Sequence, residues 1–299
     1  MLQPGVYPAA VTPFDAKGRI DIPAVARLLA WFESGGCKGA VLAGTNGEGP
    51  SLSAPEKRDL IAAAALVKGR LDLILSIATP SLDEAVWLCK QADQAGAVSV
   101  LLMPPFYFRD ASAQGIEAWF RAVLDKSPLP VVLYNFPEKA GVTITADMLS
   151  RLADHDRFAG VKDSSGNPEN IASYRAAIHP GHLLFVGNET LILKAMGAGW
   201  SGSISGAANV LPMWLSQVVS ELLRGELDSA SAKFELILPS IERLRCTPQP
   251  AMNKALLLRL GVLPYDGVRL PLEPVAPEDA GRLAKDLQDA LGLQFVPAG

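Results

Sequence analysis

Short, nearly continuous apolar runs alternate with amphipathic stretches over most of the chain. The apolar runs are Gly5–Val11, Ala40–Ala43, Leu73–Ala78, Val98–Met103, Val131–Tyr134, Phe158–Val161, Leu183–Val186 and Gly202–Ser205. Runs of this kind suit parallel strands that are covered on both faces. Between them, helical spacing predicts helices over Pro23–Ser34, Ala54–Val67, Ser81–Ala95, Ser112–Asp125, Ala146–Ala153, Pro168–Ile178, Thr190–Met196 and Leu211–Leu223. Ser53-Ala54-Pro55-Glu56 and Ser81-Leu82-Asp83-Glu84 each place a serine cap three residues before a carboxylate, which satisfies free N–H groups of a first turn. Eight βα units in succession predict an α/β fold, a closed (β/α)8 TIM barrel over residues 1–224, with an open doubly wound sheet as the competitor. After Leu223 the strand pattern stops. Gly225–Arg245, Pro250–Leu260 and Pro277–Leu291 then predict a C-terminal helical appendage, residues 225–299, packed on the barrel or on a neighbouring subunit.

Composition narrows the functional classes. The 299 residues are 49% hydrophobic and 19% charged, enough for one large core. Net charge is −4 and no Lys/Arg run occurs, so no nucleic-acid partner is expected. Apolar runs stay strand-sized, so no membrane association is expected either. The start, Met1-Leu2-Gln3-Pro4-Gly5, lacks the basic and apolar regions of a secretory leader. Cys37, Cys89 and Cys246 are far apart with no CxxC spacing, and they read as three buried structural thiols in a cytoplasmic protein. His155, His179 and His182 have no metal-ligand spacing, and no GxSxG, GxGxxG or P-loop motif is present. Neither a metal nor an organic cofactor is expected.

In such a barrel the chemistry sits in the loops that leave the strands' C-terminal ends. Polar and glycine-rich segments fall there: Gly44-Thr45-Asn46-Gly47-Glu48, Tyr107, Tyr134-Asn135-Phe136-Pro137, Lys162-Asp163-Ser164-Ser165-Gly166 and Gly187-Asn188-Glu189. Lys162 ends an apolar strand, where desolvation disfavours an ammonium and yields the neutral amine that attacks a ketone. The competing reading is an ion pair with Asp163 or with a carboxylate on the next strand. Other lysines, such as Lys57, Lys68 and Lys90, read as surface residues. Tyr134 ends the preceding strand and could relay protons, or could be a rim tyrosine with a satisfied hydroxyl. The turn at 44–48 can aim successive N–H groups at a carboxylate or phosphate, or can be an ordinary turn.

Pro8-Ala9-Ala10-Val11-Thr12-Pro13-Phe14, Gly44-Thr45-Asn46-Gly47-Glu48, Tyr134-Asn135-Phe136-Pro137, Val161-Lys162-Asp163-Ser164-Ser165-Gly166 and Gly202-Ser203-Ile204-Ser205-Gly206 followed by Asn209 occur in this order. Together they resemble the dihydrodipicolinate synthase/N-acetylneuraminate lyase family of Schiff-base-forming, pyruvate-dependent aldolases, from about Gly5 to Gly261. The resemblance implies that Lys162 is the Schiff-base lysine and Tyr134 the proton shuttle. It places Thr45, also a catalytic residue, and Asn46 on the pyruvyl carboxylate with backbone N–H help, lines the pocket beside the imine with Gly187 and Ile204, and adds Gly47 and Ser164 as substrate-binding residues. Tyr107 matches a relay tyrosine that reaches into the neighbouring subunit's site, so a dimer or tetramer is implied.

Resemblance also bears on which member this is. Synthases of the family place an arginine where this chain has Lys139, which keeps the charge but loses the bidentate fork. Neuraminate lyases hold sugar hydroxyls at positions matched here by Glu189, Thr190 and Gly206, of which only Glu189 keeps a carboxylate. Gly49-Pro50-Ser51-Leu52-Ser53 and the tyrosine motif look more like 2-keto-3-deoxy sugar-acid and hydroxy-oxoglutarate aldolases. The expectation is an aldolase acting on a short 2-oxo-4-hydroxy acid. A 4-hydroxy-tetrahydrodipicolinate synthase, a Schiff-base dehydratase and a non-catalytic oxo-acid-binding barrel are the alternatives.

Overall fold

In a computed structural model, which describes residues 2–295, eight parallel strands follow the predicted runs. They are β1 (Gly5–Pro8), β2 (Gly39–Leu42), β3 (Asp72–Ile77), β4 (Ser99–Leu102), β5 (Val131–Asn135), β6 (Phe158–Asp163), β7 (Leu183–Val186) and β8 (Gly202–Ser205). Ladders join β1 to β8 and then each strand in turn back to β2. The last seam closes through a parallel bridge between Ala9 and Val41, with Ala10 N donating to Val41 O at 2.9 Å. The closed barrel is therefore formed and the open sheet is not. β1 ends three residues early because the chain past Pro8 swings across that seam.

The helices are α1 (Ile22–Ser34), α2 (Ala54–Ala65), α3 (Leu82–Gln94), α4 (Ala113–Leu124), α5 (Pro137–Ala140), α6 (Ala146–Leu152), α7 (Glu169–Ala177), α8 (Ile192–Gly197) and α9 (Pro212–Arg224). Three more, α10 (Leu227–Arg245), α11 (Gln249–Arg259) and α12 (Pro277–Leu291), follow the barrel. Ser53 and Glu56 complete a reciprocal capping box on α2, whereas Ser81 supplies only the forward bond to Glu84 N. Among the described residues no helix is long and apolar enough to cross a membrane.

Strand alternation divides the apolar residues into two layers. Tyr7, Val41, Ile74, Leu101, Val132, Phe185 and Ile204 fill the barrel interior. Leu42, Leu75, Leu102, Leu133, Val161 and Val186 point outward against helix residues such as Phe32, Ile61, Phe120 and Leu215. Tyr7 meets Phe185 edge-on at 5.6 Å and donates its hydroxyl to Gln3 O, which plugs the lower end. Two expectations fail at this level. Cys246 is exposed at the end of α10, unlike Cys37 and Cys89, because it lies on the open side of a helix terminus. Lys57 is buried in α2, where burial pushes its ammonium below the usual lysine range.

Gly160 marks the tightest point of β6. Its φ is +146°, and a Cβ there would lie 1.8 Å from Leu183 O on β7. A methyl group cannot be accommodated without parting the two strands that frame Lys162. We expect Gly160→Ala to destabilise the fold by ~3 kcal/mol or more. An unchanged guanidinium midpoint would contradict this.

Candidate active site

β5 and β6 pair in register so that Tyr134 lies beside Lys162. Both side chains face the barrel interior, since Leu133 and Val161, one residue earlier, belong to the outer layer. Lys162 is the second-last residue of β6, inside the strand, and is only 5% exposed. Its Nζ sits 4.1 Å from the centroid of the Tyr134 ring. No carboxylate lies within 4.0 Å of that nitrogen among the described residues.

The expected competitor, a Lys162–Asp163 ion pair, is excluded by strand alternation, because neighbouring residues project from opposite faces. Asp163 instead accepts from Asn135 Nδ2 at 2.8 Å, Ser165 N at 3.0 Å, Ser165 Oγ at 2.9 Å and Asn170 Nδ2 at 3.1 Å. Asn135 Oδ1 in turn accepts from Ile144 N. This outer network pins the ends of β5 and β6 while leaving the inner lysine without a charge partner.

The 44–48 turn forms one wall. Ala43 and Glu48 both adopt left-handed conformations, at φ 55° and 53°, so the turn is held in a backbone shape that residues with a Cβ seldom take. Thr45 Oγ1 lies 3.5 Å from the Tyr134 hydroxyl. The N–H groups of Thr45 and Asn46 have no protein acceptor among the described residues. Such free donors suit a carboxylate.

What holds this strained turn is a buried ion pair. Glu48 Oε1 accepts from Lys254 Nζ of α11 at 2.5 Å, with both side chains wholly buried, and Glu48 Oε2 accepts from Arg269 N at 2.8 Å. Lys254 also donates to Gly267 O at 2.8 Å and lies over the Phe14 ring. Burial pushes its ammonium down to about 8, with Glu48 opposing that shift. Arg269 continues the link to Glu56 at 2.6 Å, which holds that carboxyl at about 2.

Together these residues line a cavity of about 590 Å³ at the C-terminal mouth of the barrel. Thr45, Asn46, Tyr134, Lys139, Lys162, Ser164, Gly187 and Ile204 all border it. At Gly187 a Cβ would lie 2.0 Å from Ser164 Oγ and 3.0 Å from Lys162 Cε, so the absent side chain leaves room around the lysine. Gly47 supports the turn from behind, its carbonyl accepting from Thr12 Oγ1 at 2.6 Å. Lys139 sits on the rim in α5, half-exposed and 3.4 Å from Glu138. A larger hollow of about 910 Å³ lies between α10, α11 and α12, but it contains no lysine–tyrosine pair and no strand-end residue.

Two expected residues stand elsewhere. Tyr107 is 74% exposed, edge-on to Phe108, and does not border the cavity of its own chain. Glu189 is fully buried rather than facing a ligand, because both its oxygens are engaged by protein. Oε1 accepts from Ser205 Oγ at 2.6 Å and Ala207 N at 3.2 Å, and Oε2 from Arg245 Nη1 at 2.8 Å. Sequence reasoning missed Arg245 and Gln249, which reach the cavity from the ends of α10 and α11. Thr247-Pro248-Gln249-Pro250, a break between two helical patterns, was the available signal.

Residues 3–290 match the profile of the dihydrodipicolinate synthetase family. The 4-hydroxy-tetrahydrodipicolinate synthase of Nitrobacter hamburgensis is 33% identical over 290 residues, covering 97% of each chain. The structure of the chloride-inhibited dihydrodipicolinate synthase from Acinetobacter baumannii, complexed with pyruvate, superposes with a TM-score of 0.92 at 28% identity, covering 98% of this chain and 100% of that one. A prophage protein of the dihydrodipicolinic acid synthase family from E. coli, also in complex with pyruvate, superposes with a TM-score of 0.92 at 25% identity, with the same coverage.

Removing Lys254 would leave the Glu48 carboxylate charged and unpaired in the interior. We expect Lys254→Met to cost about 3–5 kcal/mol, and the double variant Glu48→Gln/Lys254→Met to recover a large part of it. Equal unfolding midpoints for the single and double variants would refute the coupling.

Proposed function

The chain belongs to the dihydrodipicolinate synthetase family and is a lyase of its pyruvate-dependent aldolase class, and on that premise we propose that Lys162 forms an imine with the keto carbon of pyruvate or a related 2-oxo acid. The carrying observation is a buried lysine on the inner face of β6, without a carboxylate partner and beside Tyr134.

The neutral amine attacks the keto carbon, and loss of water gives an iminium. In the cleavage direction the C4 hydroxyl gives up its proton and the C3–C4 bond breaks. Its electron pair enters an enamine, and the C4 fragment leaves as an aldehyde. Protonation of the enamine at C3 and hydrolysis of the iminium then release the oxo acid and restore Lys162. The Tyr134 hydroxyl carries the protons, while the Thr45–Asn46 turn holds the carboxylate so that the reacting atoms stay aligned.

The preferred reading of the substrate is a short 2-oxo-4-hydroxy acid. A cavity of about 590 Å³ suits a small ligand, and the rim offers Lys139 where a planar fork would serve a synthase better. Synthesis of 4-hydroxy-tetrahydrodipicolinate is the second reading, favoured by the names of the relatives.

Borohydride reduction in the presence of pyruvate should add one reduced pyruvyl group at Lys162, detected by peptide mass. A folded wild-type protein that gives no adduct would sink the reading. Tyr134→Phe should lower turnover on the order of 100-fold or more. Release or consumption of pyruvate across a panel of aldehydes and 2-oxo-4-hydroxy acids then distinguishes cleavage from synthesis.

Tyr107 enters this reading only through a second copy of the chain. We expect a dimer or larger assembly in solution and a slower Tyr107→Phe variant. A fully active monomer in the ultracentrifuge would remove Tyr107 from the mechanism.

A further inference from the structure

Two side chains of the cavity have no part in the imine chemistry, and both come from outside the barrel strands. Arg245 closes α10 and Gln249 opens α11. Arg245 Nη1 donates to Glu189 Oε2 at 2.8 Å and approaches Gly187 O at 3.4 Å. Nε and Nη2 have no acceptor among the described residues. A planar guanidinium tied at one corner to a wholly buried carboxylate has a fixed orientation, which leaves its opposite edge as a preset pair of parallel donors. Gln249 accepts from Asn46 Nδ2 at 3.3 Å, and its own amide nitrogen is without an acceptor among the described residues.

The other rim cation is built differently. Lys139 is half-exposed, pairs with its neighbour Glu138, and offers a point charge on a flexible stem. The two carboxylates that border the cavity, Glu48 and Glu138, each have a cation of their own. Neither is left to repel an anion at Arg245.

We propose that Arg245, aimed by Glu189, is a specificity-determining residue that binds a terminal carboxylate on the fragment beyond C4. The proposal rests on the imine at Lys162: Arg245 approaches Gly187 O, and a Cβ at Gly187 would lie 3.0 Å from Lys162 Cε, so the guanidinium and the amine border the same corner of the cavity. The match is to a carboxylate because one free guanidinium edge makes two parallel bonds, and the Gln249 amide adds further N–H donors beside it.

The test is competition with pyruvate for borohydride trapping at Lys162. The probes are 2-oxoglutarate against 2-oxopentanoate, and 2-oxohexanedioate against 2-oxohexanoate. Wild-type protein should favour the diacid roughly tenfold or more at one of the two chain lengths, as a charge-assisted pair implies. The ratio should fall to near one in Arg245→Gln and stay intermediate in Arg245→Lys. Comparing the two probes within each protein cancels any general loss of folding. A wild-type ratio near one at both lengths overturns the proposal. So does a preference that survives Arg245→Gln and disappears in Lys139→Gln. If wild-type protein traps no pyruvate, the reading of Lys162 falls by itself. Direct calorimetric titration with glutarate against pentanoate then decides the Arg245 site, with equal binding refuting it.

Discussion

The side chains of a strand alternate, and in a closed barrel one half of them must go inside. That constraint governs the site. It sends Val161 and Asp163 outward and Lys162 inward, between Tyr134 and Phe185 of the neighbouring strands. No carboxylate stands within 4.0 Å of the lysine nitrogen among the described residues. The same alternation gives the neighbouring carboxylate, Asp163, to an outer network of amides and hydroxyls. A single periodicity thus separates the Lys162 amine from the acid beside it in sequence.

Around that lysine the molecule is braced from a distance. The Thr45–Asn46 turn is flanked by two residues with Cβ atoms in left-handed geometry, Ala43 and Glu48, a shape that would relax if left alone. It is held through Glu48 by Lys254 and Arg269, which belong to the chain after the barrel. The C-terminal helices therefore set the geometry of a turn more than 200 residues earlier in sequence. Burying an ion pair costs solvation, and its return lies in the fixed position it imposes.

The barrel was legible because parallel strands covered on both faces leave short apolar runs, and all eight runs became strands. The gathering of Lys162, Tyr134 and the 44–48 turn around one cavity was legible because this architecture brings its strand ends to one mouth. The errors share a cause. Cys246, Lys57 and Glu189 were judged by residue type and local position, whereas their environments are fixed by contacts from remote segments. Glu189 looked like a free carboxylate in a loop, and only the fold shows Arg245, 56 positions later, occupying it. Arg245 and Gln249 carried no periodic signal, since they sit where one helix stops and the next begins.

The break between α10 and α11 has an evolutionary consequence. Tyr134 and Lys162 are strand residues of the barrel, where a substitution disturbs a shared core. The far end of the cavity is lined by a short bend, Arg245 to Pro250, which belongs to no strand and is joined to the strand ends through the Arg245–Glu189 pair. A lineage can therefore vary the cavity's shape at that corner, at Thr247 and Pro248 above all, without touching the strands that carry Tyr134 and Lys162.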